Sequence, residues 1–209
     1  MTGAPLVEHF FRHEYGRLVA ILVGRVGLVH LDSVEDAVQS ALLAALETWT
    51  RTGEPDNPSA WLYRVAYNRV IGELRQQARR QRILAENVEP EVIEDDLPIS
   101  AVGDDLLRML FVCCDEAIPV ESQLVLALKI LCGFDVREIG LRLFLSEANV
   151  YKRYSRGRAW LREHRGLPLA LNSEPHARRL PAVLQVLYLL FTEGYLSAHQ
   201  EQSIRRELC

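Results

Sequence analysis

The chain has 209 residues, of which 49% are hydrophobic, so disorder throughout is excluded and one large or two small globular domains are expected. The net charge of −4 argues against a nucleic-acid partner only if the charge is evenly spread, because phosphate contacts need Lys and Arg. The N-terminus does not resemble a leader and no apolar run is long enough to span a bilayer, so we expect a cytoplasmic protein without membrane insertion.

The apolar residues recur at helical rather than strand spacing, which predicts an all-α protein. The first predicted helix covers about residues 5 to 26. The second begins at Asp32 or Ser33, where Asp32 and Glu35 resemble a capping box, and continues to about residue 50. Its acidic and apolar residues fall on separate faces, which is typical of a solvated surface or of a surface that binds a protein partner.

The third predicted helix covers about residues 57 to 82 and is strongly basic. Asn57 is a typical N-cap, and Pro58 suits the first helical position. Six arginines stand against one glutamate between residues 61 and 82, a net charge of +5. Aromatic residues interleaved with these charges favour binding of single-stranded DNA, through base stacking and backbone contacts, although some must belong to the core. These aromatic residues are Trp61, Tyr63 and Tyr67.

Residues 83–103 are predicted to form an acidic linker between two domains. Residues 84 to 105 carry a net charge of −8, and the linker contains Pro90 and Pro98 and few apolar residues. From composition alone, a merely solubilising tether is as good an interpretation as a functional element.

Four helices are predicted beyond the linker, over about 104–117, 120–132, 136–144 and 146–164. The last two fit a helix-turn-helix, in which Gly140 provides room for the second helix, a turn follows, and Val150 is the buried aliphatic residue. Phe144 stands where a turn glycine is common, so either the turn is looser or Phe144 packs against a neighbour.

Ser146 is expected to cap the second helix of this pair, whose first turns carry side chains suited to phosphate and base-edge contacts. Residues 137 to 165 have a net charge of +5. A solvated basic face on an ordinary helical hairpin is the alternative interpretation. The predicted DNA-contacting residues are Ser146, Glu147, Asn149, Lys152, Arg153 and Arg156.

Residues 175–209 are predicted to form a helical C-terminal extension. Its apolar helix, about 181 to 193, should stop at Gly194 and must be covered by something. We expect it to pack against one of the two domains and to regulate access to their partner. No stop signal follows the next stretch, which leaves open whether the extension is truncated.

Three segments in this order resemble extracytoplasmic-function sigma factors of the sigma-70 family. Residues 180–195, together with residues 110–114, resemble a subgroup of that family with a helical C-terminal extension. Residues 34–49 resemble the domain-two helix that docks on RNA polymerase, and residues 57–75 resemble the element that melts and reads the minus-ten region. Residues 135–162 resemble domain four, which reads the minus-thirty-five element. The resemblance divides the chain into domain two (5–82), linker (83–103), domain four (104–166) and extension (175–209).

This resemblance implies core RNA polymerase, double-stranded promoter DNA and single-stranded minus-ten DNA as partners, and it leaves open regulation by the extension or by an anti-sigma factor. It also implies that the acidic linker threads the basic channel of the polymerase. The implied polymerase contacts are Glu35, Asp36, Gln39, Leu42 and Leu43. The implied minus-ten contacts are Asn57, Ser59, Trp61, Arg64, Tyr67, Asn68 and Arg75.

Two other functions stay open on the sequence: a dimeric helix-turn-helix regulator and a helical protein-interaction scaffold. An enzyme is not expected, because the sequence shows no phosphate loop, nucleophile–base set or metal-ligand spacing, and we predict no catalytic residue, metal or cofactor. Cys113 and Cys114 lie in an apolar helix, which favours a structural role.

Overall fold

A computed structural model describes residues 3–84, 102–164 and 175–195, and within these ranges it contains eight α-helices, one short 3₁₀ helix at Leu28–His30 and no strand. The predicted all-α class is confirmed. The α-helices are α1 (Gly3–Val26), α2 (Leu31–Thr52), α3 (Pro58–Leu84), α4 (Val102–Cys113), α5 (Val120–Ile130), α6 (Val136–Leu143), α7 (Glu147–Glu163) and α8 (Pro175–Tyr195).

Helices α1, α2 and α3 form the first packing unit. Their apolar residues recur three and four positions apart, so each helix presents one continuous stripe to its neighbours. Leu22, Leu42 and Leu62, one from each helix, are fully buried at the centre. Trp49 near the end of α2 meets Trp61 near the start of α3 edge to face, with ring centroids 5.4 Å apart. The aromatic contact fixes where α3 begins relative to α2.

Helices α4 to α7 form the second unit, with α5 at its centre. Most side chains of α5 are buried, because α4, α6, α7 and α8 all pack against it. Met109 of α4, Ile139 of α6 and Leu161 of α7 complete the interior. The pair α6–α7 is therefore fixed to an apolar base.

Helix α8 packs on α4 and α5 and so belongs to the second unit. Val183 and Val186 are buried in that contact, whereas Leu184, Tyr188 and Phe191 on the outer side remain exposed. The structure thus covers one face of the apolar helix and leaves the other open. The helix also continues through Tyr195, one residue beyond the predicted stop.

The two units touch each other directly: α1 lies against α4, and α7 approaches the 3₁₀ helix. Ion pairs join α7 to the first turns of α2. Most of the predicted acidic linker, residues 85–101, lies outside the described residues.

The predicted capping box at the start of α2 is wrong. The helix begins at Leu31, one residue earlier, and its N-cap residue His30 makes no side-chain cap hydrogen bond. Asp32 and Glu35 instead turn their carboxylates toward Arg158 of α7. These two side chains therefore form long-range ion pairs with α7 instead of capping α2.

Candidate nucleic-acid interface

The turn between α6 and α7 has the tight geometry of a helix-turn-helix. A Cβ at position 140 would lie 2.8 Å from the Leu145 carbonyl oxygen, so only glycine lets the chain after α6 pass so close. The Leu145 N–H donates to the Gly140 carbonyl oxygen at 2.8 Å, and Val150 is buried beneath the turn. These three features agree with the predicted roles of Gly140 and Val150.

Phe144 adopts the left-handed conformation at the end of α6, with φ 54° and ψ 44°. Its side chain is 96% exposed, so the expectation that it packs against a neighbour is wrong. Glycine is the residue that takes this conformation without steric cost. The turn therefore has the usual left-handed geometry at the end of α6, with backbone strain at Phe144.

Both helices of the pair start at a well-formed cap. Ser146 caps α7 as predicted, because its Oγ accepts a hydrogen bond from the Asn149 N–H at 3.4 Å. Asp135 and Glu138 form a reciprocal capping box at the start of α6. This box was not predicted from the sequence, although the Asp-x-x-Glu spacing is visible before an apolar run. The two caps fix the angle at which α7 leaves the turn.

The first turns of α7 present polar and basic side chains to solvent. Glu147, Asn149, Lys152 and Arg156 are exposed, and Arg153 is partly buried. This face lies opposite the residues that bury α7 in the second unit, so it is free for a ligand in this conformation. Its contacts with DNA stay a prediction.

Helix α3 carries the second basic face. Asn57 caps it as predicted: its Oδ1 accepts a hydrogen bond from the Ala60 N–H at 3.0 Å. Arg64, Asn68 and Arg75 are exposed and recur at spacings of four and seven, which places them on one face. Ser59 is partly buried at the start of the same helix. The structure thus groups the predicted polar contacts along one stripe.

The aromatic residues of α3 lie at the border of the core. Trp61 is partly buried against Trp49. Tyr67 is partly buried and stacks on the more buried Tyr63, with ring centroids 5.6 Å apart and planes 13° from parallel. Tyr67 is therefore better placed than Tyr63 to stack on a base.

The predicted polymerase-binding residues of α2 divide into two groups. Asp36, Gln39 and Leu43 are exposed on one stripe, with Leu43 61% exposed. Leu42 is only 1% exposed and belongs to the core, and Glu35 is 7% exposed. These last two do not form part of an open surface in this conformation, because helical spacing turns them toward the interior.

Glu35 lies in a cluster of ion pairs and hydrogen bonds between the two units. Its carboxylate pairs with Arg158 and accepts a hydrogen bond from the Tyr15 hydroxyl at 3.3 Å. Burial raises the pKa of Glu35 to about 7, and the Tyr15 hydrogen bond acts in the opposite direction. Burial likewise raises the pKa of Tyr154, whose hydroxyl lies 2.6 Å from the Arg158 guanidinium.

Asp32 extends the same cluster outward. It pairs with Arg158 and, at 3.0 Å, with Arg162 one turn further along α7. Burial and the neighbouring Arg162 lower the pKa of Arg158 below its usual value. Arginine still remains protonated under any ordinary condition, so the cluster keeps a positive charge facing the side chains of Asp32 and Glu35.

The cysteines Cys113 and Cys114 are buried at the end of α4, in agreement with the predicted structural role. Burial raises the pKa of Cys114 to about 12, and the pKa of Cys113 is also well above its usual value. In the described ranges, no group of three or more His, Cys, Asp or Glu side chains is arranged to hold a metal ion. None of the described helices is long and apolar enough to cross a membrane.

Two ranges of the chain match two different family models. Residues 10–80 match the family model for Sigma-70 region 2, and residues 179–209 match a family of unknown function (DUF6596). An uncharacterized protein of Rhizobium meliloti (strain 1021) is 35% identical over 187 residues, which cover 86% of this chain and 44% of that protein. The chain thus spans less than half the length of this relative.

No solved structure matches the chain. The Sigma-70 region 2 match covers nearly all of α1 to α3, the unit that carries both the exposed stripe of α2 and the basic face of α3. The chain therefore carries, over residues 10–80, a segment similar to Sigma-70 region 2.

Proposed function

We propose that the chain is a sigma factor of the extracytoplasmic-function type, which directs core RNA polymerase to promoters. The observation that carries the proposal is the presence in one chain of a Sigma-70 region 2 segment and a separate, capped helix-turn-helix. A dimeric helix-turn-helix regulator would need only the helix-turn-helix, so this alternative does not explain the Sigma-70 region 2 segment.

In this proposal the exposed stripe of α2 binds the polymerase. Leu43 supplies an apolar contact, and Asp36 and Gln39 supply the polar rim around it. Such a mixed surface suits a protein partner because the apolar centre provides affinity and the charges provide orientation.

The basic face of α3 then holds the separated strand of the minus-ten region. Arg64 and Arg75 neutralise phosphates, Asn68 contacts base edges, and Tyr67 stacks on a base. An extruded base would be received near the start of α3, where the loop ends at Asn57.

Helix α7 reads the minus-thirty-five element from the major groove of duplex DNA. Lys152, Arg153 and Arg156 set its position on the phosphates, and Asn149 is placed to read base edges near the helix start. The protein acts by binding, with no catalytic residue of its own, and α8 with the rest of the extension modulates access to the polymerase.

The deciding experiment mixes the purified chain with core RNA polymerase and follows complex formation and run-off transcription from promoter templates. We expect a stable complex and promoter-dependent transcripts. An Asp36→Arg variant should lose polymerase affinity while its affinity for duplex promoter DNA stays unchanged, and Arg153→Ala should show the reverse. Failure of the unmodified chain to bind core polymerase would overturn the proposal.

A further inference from the structure

Phe144 combines a strained backbone with an unpacked side chain. Within the described ranges it is the only residue other than glycine with a positive φ, and the other such positions are held by Gly27, Gly53 and Gly133. Its side chain is 96% exposed, whereas no other large apolar side chain of those ranges is more than 66% exposed. A left-handed phenylalanine lowers stability, and this one gains no burial in return. Stability of the fold therefore does not explain an aromatic residue at this position.

The turn holds the backbone of Phe144 in place. The N–H groups of Phe144 and Leu145 both donate to the Gly140 carbonyl oxygen, the second at 2.8 Å. The Ser146 cap then fixes the start of α7. Strained residues that the surrounding structure holds in this way are concentrated at active sites and ligand-binding clamps. Because the backbone is already ordered, contact between the ring and a ligand costs little conformational entropy.

Phe144 lies at the end of α7 that the proposed function places on DNA. It precedes the cap residue Ser146 by two positions, so the two Cα atoms are at most about 7 Å apart. The proposed function puts the first turns of α7 in the major groove, which is about 12 Å wide. In that position the exposed ring of Phe144 reaches the same groove.

Thymine is the base whose chemistry matches this ring. Base edges in the major groove present hydrogen-bond donors and acceptors, and the C5-methyl group of thymine is the apolar group among them. Glu147, Asn149 and Lys152, which are exposed on the first turns of α7, suit the polar groups and the phosphates. A phenyl ring forms no ordinary hydrogen bond, but it can cover a methyl group and exclude water from it.

We propose that Phe144 is a specificity-determining residue whose ring contacts the C5-methyl group of a thymine in the minus-thirty-five element. The proposal rests on the proposed function and adds a base preference to it. Uracil pairs like thymine but lacks this methyl group. Burial of one such group favours thymine over uracil by about fourfold in affinity, which corresponds to about 0.8 kcal/mol.

The test measures how affinity depends on the methyl group. The full chain, together with core polymerase, selects a duplex from a pool with randomised bases. The selected duplex is then synthesised once with thymine and once with uracil throughout. The two duplexes have the same base pairing and phosphate charge, so the ratio of their dissociation constants, measured by fluorescence anisotropy, reports the contribution of the methyl groups.

Variants at position 144 separate the ring from the backbone. Phe144→Gly and Phe144→Asn remove the ring, and both residues adopt the left-handed conformation more readily than phenylalanine does. Phe144→Tyr keeps the ring. Leu141→Ala is the matched control, because Leu141 is an apolar residue of α6 that is 56% exposed and lies three positions earlier.

The ratio of uracil to thymine dissociation constants should be about fourfold smaller for Phe144→Gly and Phe144→Asn than for the unmodified chain. Phe144→Tyr and Leu141→Ala should keep the ratio of the unmodified chain. If Phe144 only positioned α7, its replacement would change the affinity for both duplexes by the same factor and leave the ratio as it was. Far-ultraviolet circular dichroism checks that every variant is folded.

The outcomes distinguish the thymine contact from the proposed function. If a duplex is selected but the ratio is the same for all variants, the thymine contact is refuted and the proposed function stands. If the chain with core polymerase selects no duplex, the proposed function fails and the contact fails with it. A smaller ratio confined to the two variants without the ring supports the contact.

Discussion

At the scale of single residues, the turn between α6 and α7 depends on two positions, one whose residue suits the local backbone and one whose residue does not. Gly140 is the residue that its site requires, because the Leu145 carbonyl oxygen leaves no room for a Cβ. Phe144 is a residue that its site disfavours, since it takes a left-handed conformation and gains no packing in return. The two positions predict opposite effects of substitution.

Replacing Gly140 by Ala should destabilise the second unit by about 1–3 kcal/mol, because either Leu145 or α7 must move to admit the methyl group. Denaturant unfolding of the full chain measures this loss, and affinity for duplex DNA should fall with it. Gly72→Ala is the control: its position is open and helical, so the same substitution should stabilise by up to about 1 kcal/mol. Equal effects at both positions would contradict the steric explanation.

Replacing Phe144 by Gly should raise the free energy of unfolding by roughly 0.5–1 kcal/mol, because glycine relieves the left-handed strain and no buried contact is lost. Thermal or urea unfolding measures the gain. Phe144→Ala relieves none of the strain and serves as the matched control. A fall in stability of Phe144→Gly larger than that of Phe144→Ala would show that the exposed ring has a stabilising contact.

At the scale of elements, α8 is attached to the second unit by a buried ion pair as well as by its apolar residues. Arg179 pairs with the 6%-exposed carboxylate of Asp115 and also donates to the Phe111 carbonyl oxygen at 3.3 Å. The neighbouring Arg178 makes a long, exposed pair with Glu116 at 3.7 Å. Two adjacent arginines of the same helix are thus in contrasting environments.

Arg179→Ala should destabilise the second unit by about 3–5 kcal/mol, because it removes the charged partner of the buried Asp115 carboxylate, which then keeps the hydrogen bond from the Ala117 N–H. Arg178→Ala should change stability by less than about 0.5 kcal/mol. Chemical denaturation gives both values, and limited proteolysis reports whether α8 detaches. Similar values for the two variants would mean that α8 is held by its apolar face alone.

In the proposed binding of single-stranded DNA by α3, aromatic stacking and arginine charge should have different effects on the salt dependence of affinity. Tyr67→Ala should weaken binding of the full chain to a minus-ten-strand oligonucleotide by about 1–3 kcal/mol and leave the salt dependence unchanged. Arg75→Ala should reduce the slope of log affinity against log salt by about 0.7. Salt titrations of binding by fluorescence anisotropy measure both, with the exposed Gln76→Ala as the control. A changed slope for Tyr67→Ala would argue against base stacking.

At the scale of the whole molecule, the described helices form one body in which the two units and α8 share continuous apolar contacts. Helix α5 is central because it contacts both α7 and α8. A change in α8 can therefore reach α7 through α5. The outer face of α8 stays apolar and exposed.

Deletion of residues 168–209 should lower the stability of the second unit and alter transcription, because it uncovers the faces of α4 and α5 that Val183 and Val186 now bury. Unfolding of the shortened chain and run-off transcription with core polymerase measure the two effects. A shortened chain with unchanged solubility, stability and transcription would refute a role for the extension.

The sequence by itself determined the class of the fold, the positions of its helices and the local features of the helix-turn-helix. Helical spacing, the Asn57 and Ser146 caps and the small residue Gly140 act within a few positions, so their signals are readable without a tertiary structure. The burial of Leu42 also follows helical spacing, although the resemblance implies Leu42 as a polymerase contact.

Only the tertiary structure decided what happens between distant segments. Asp32 and Glu35 have the spacing of a capping box, and nothing local indicates that Arg158 would take them instead. Contact between Gly16 and Leu131 is equally invisible in the sequence, because neither position has a partner nearby in the chain. Local rules place each helix and its caps, whereas pairing of buried charges depends on which helices meet, and that is settled by packing of the whole chain.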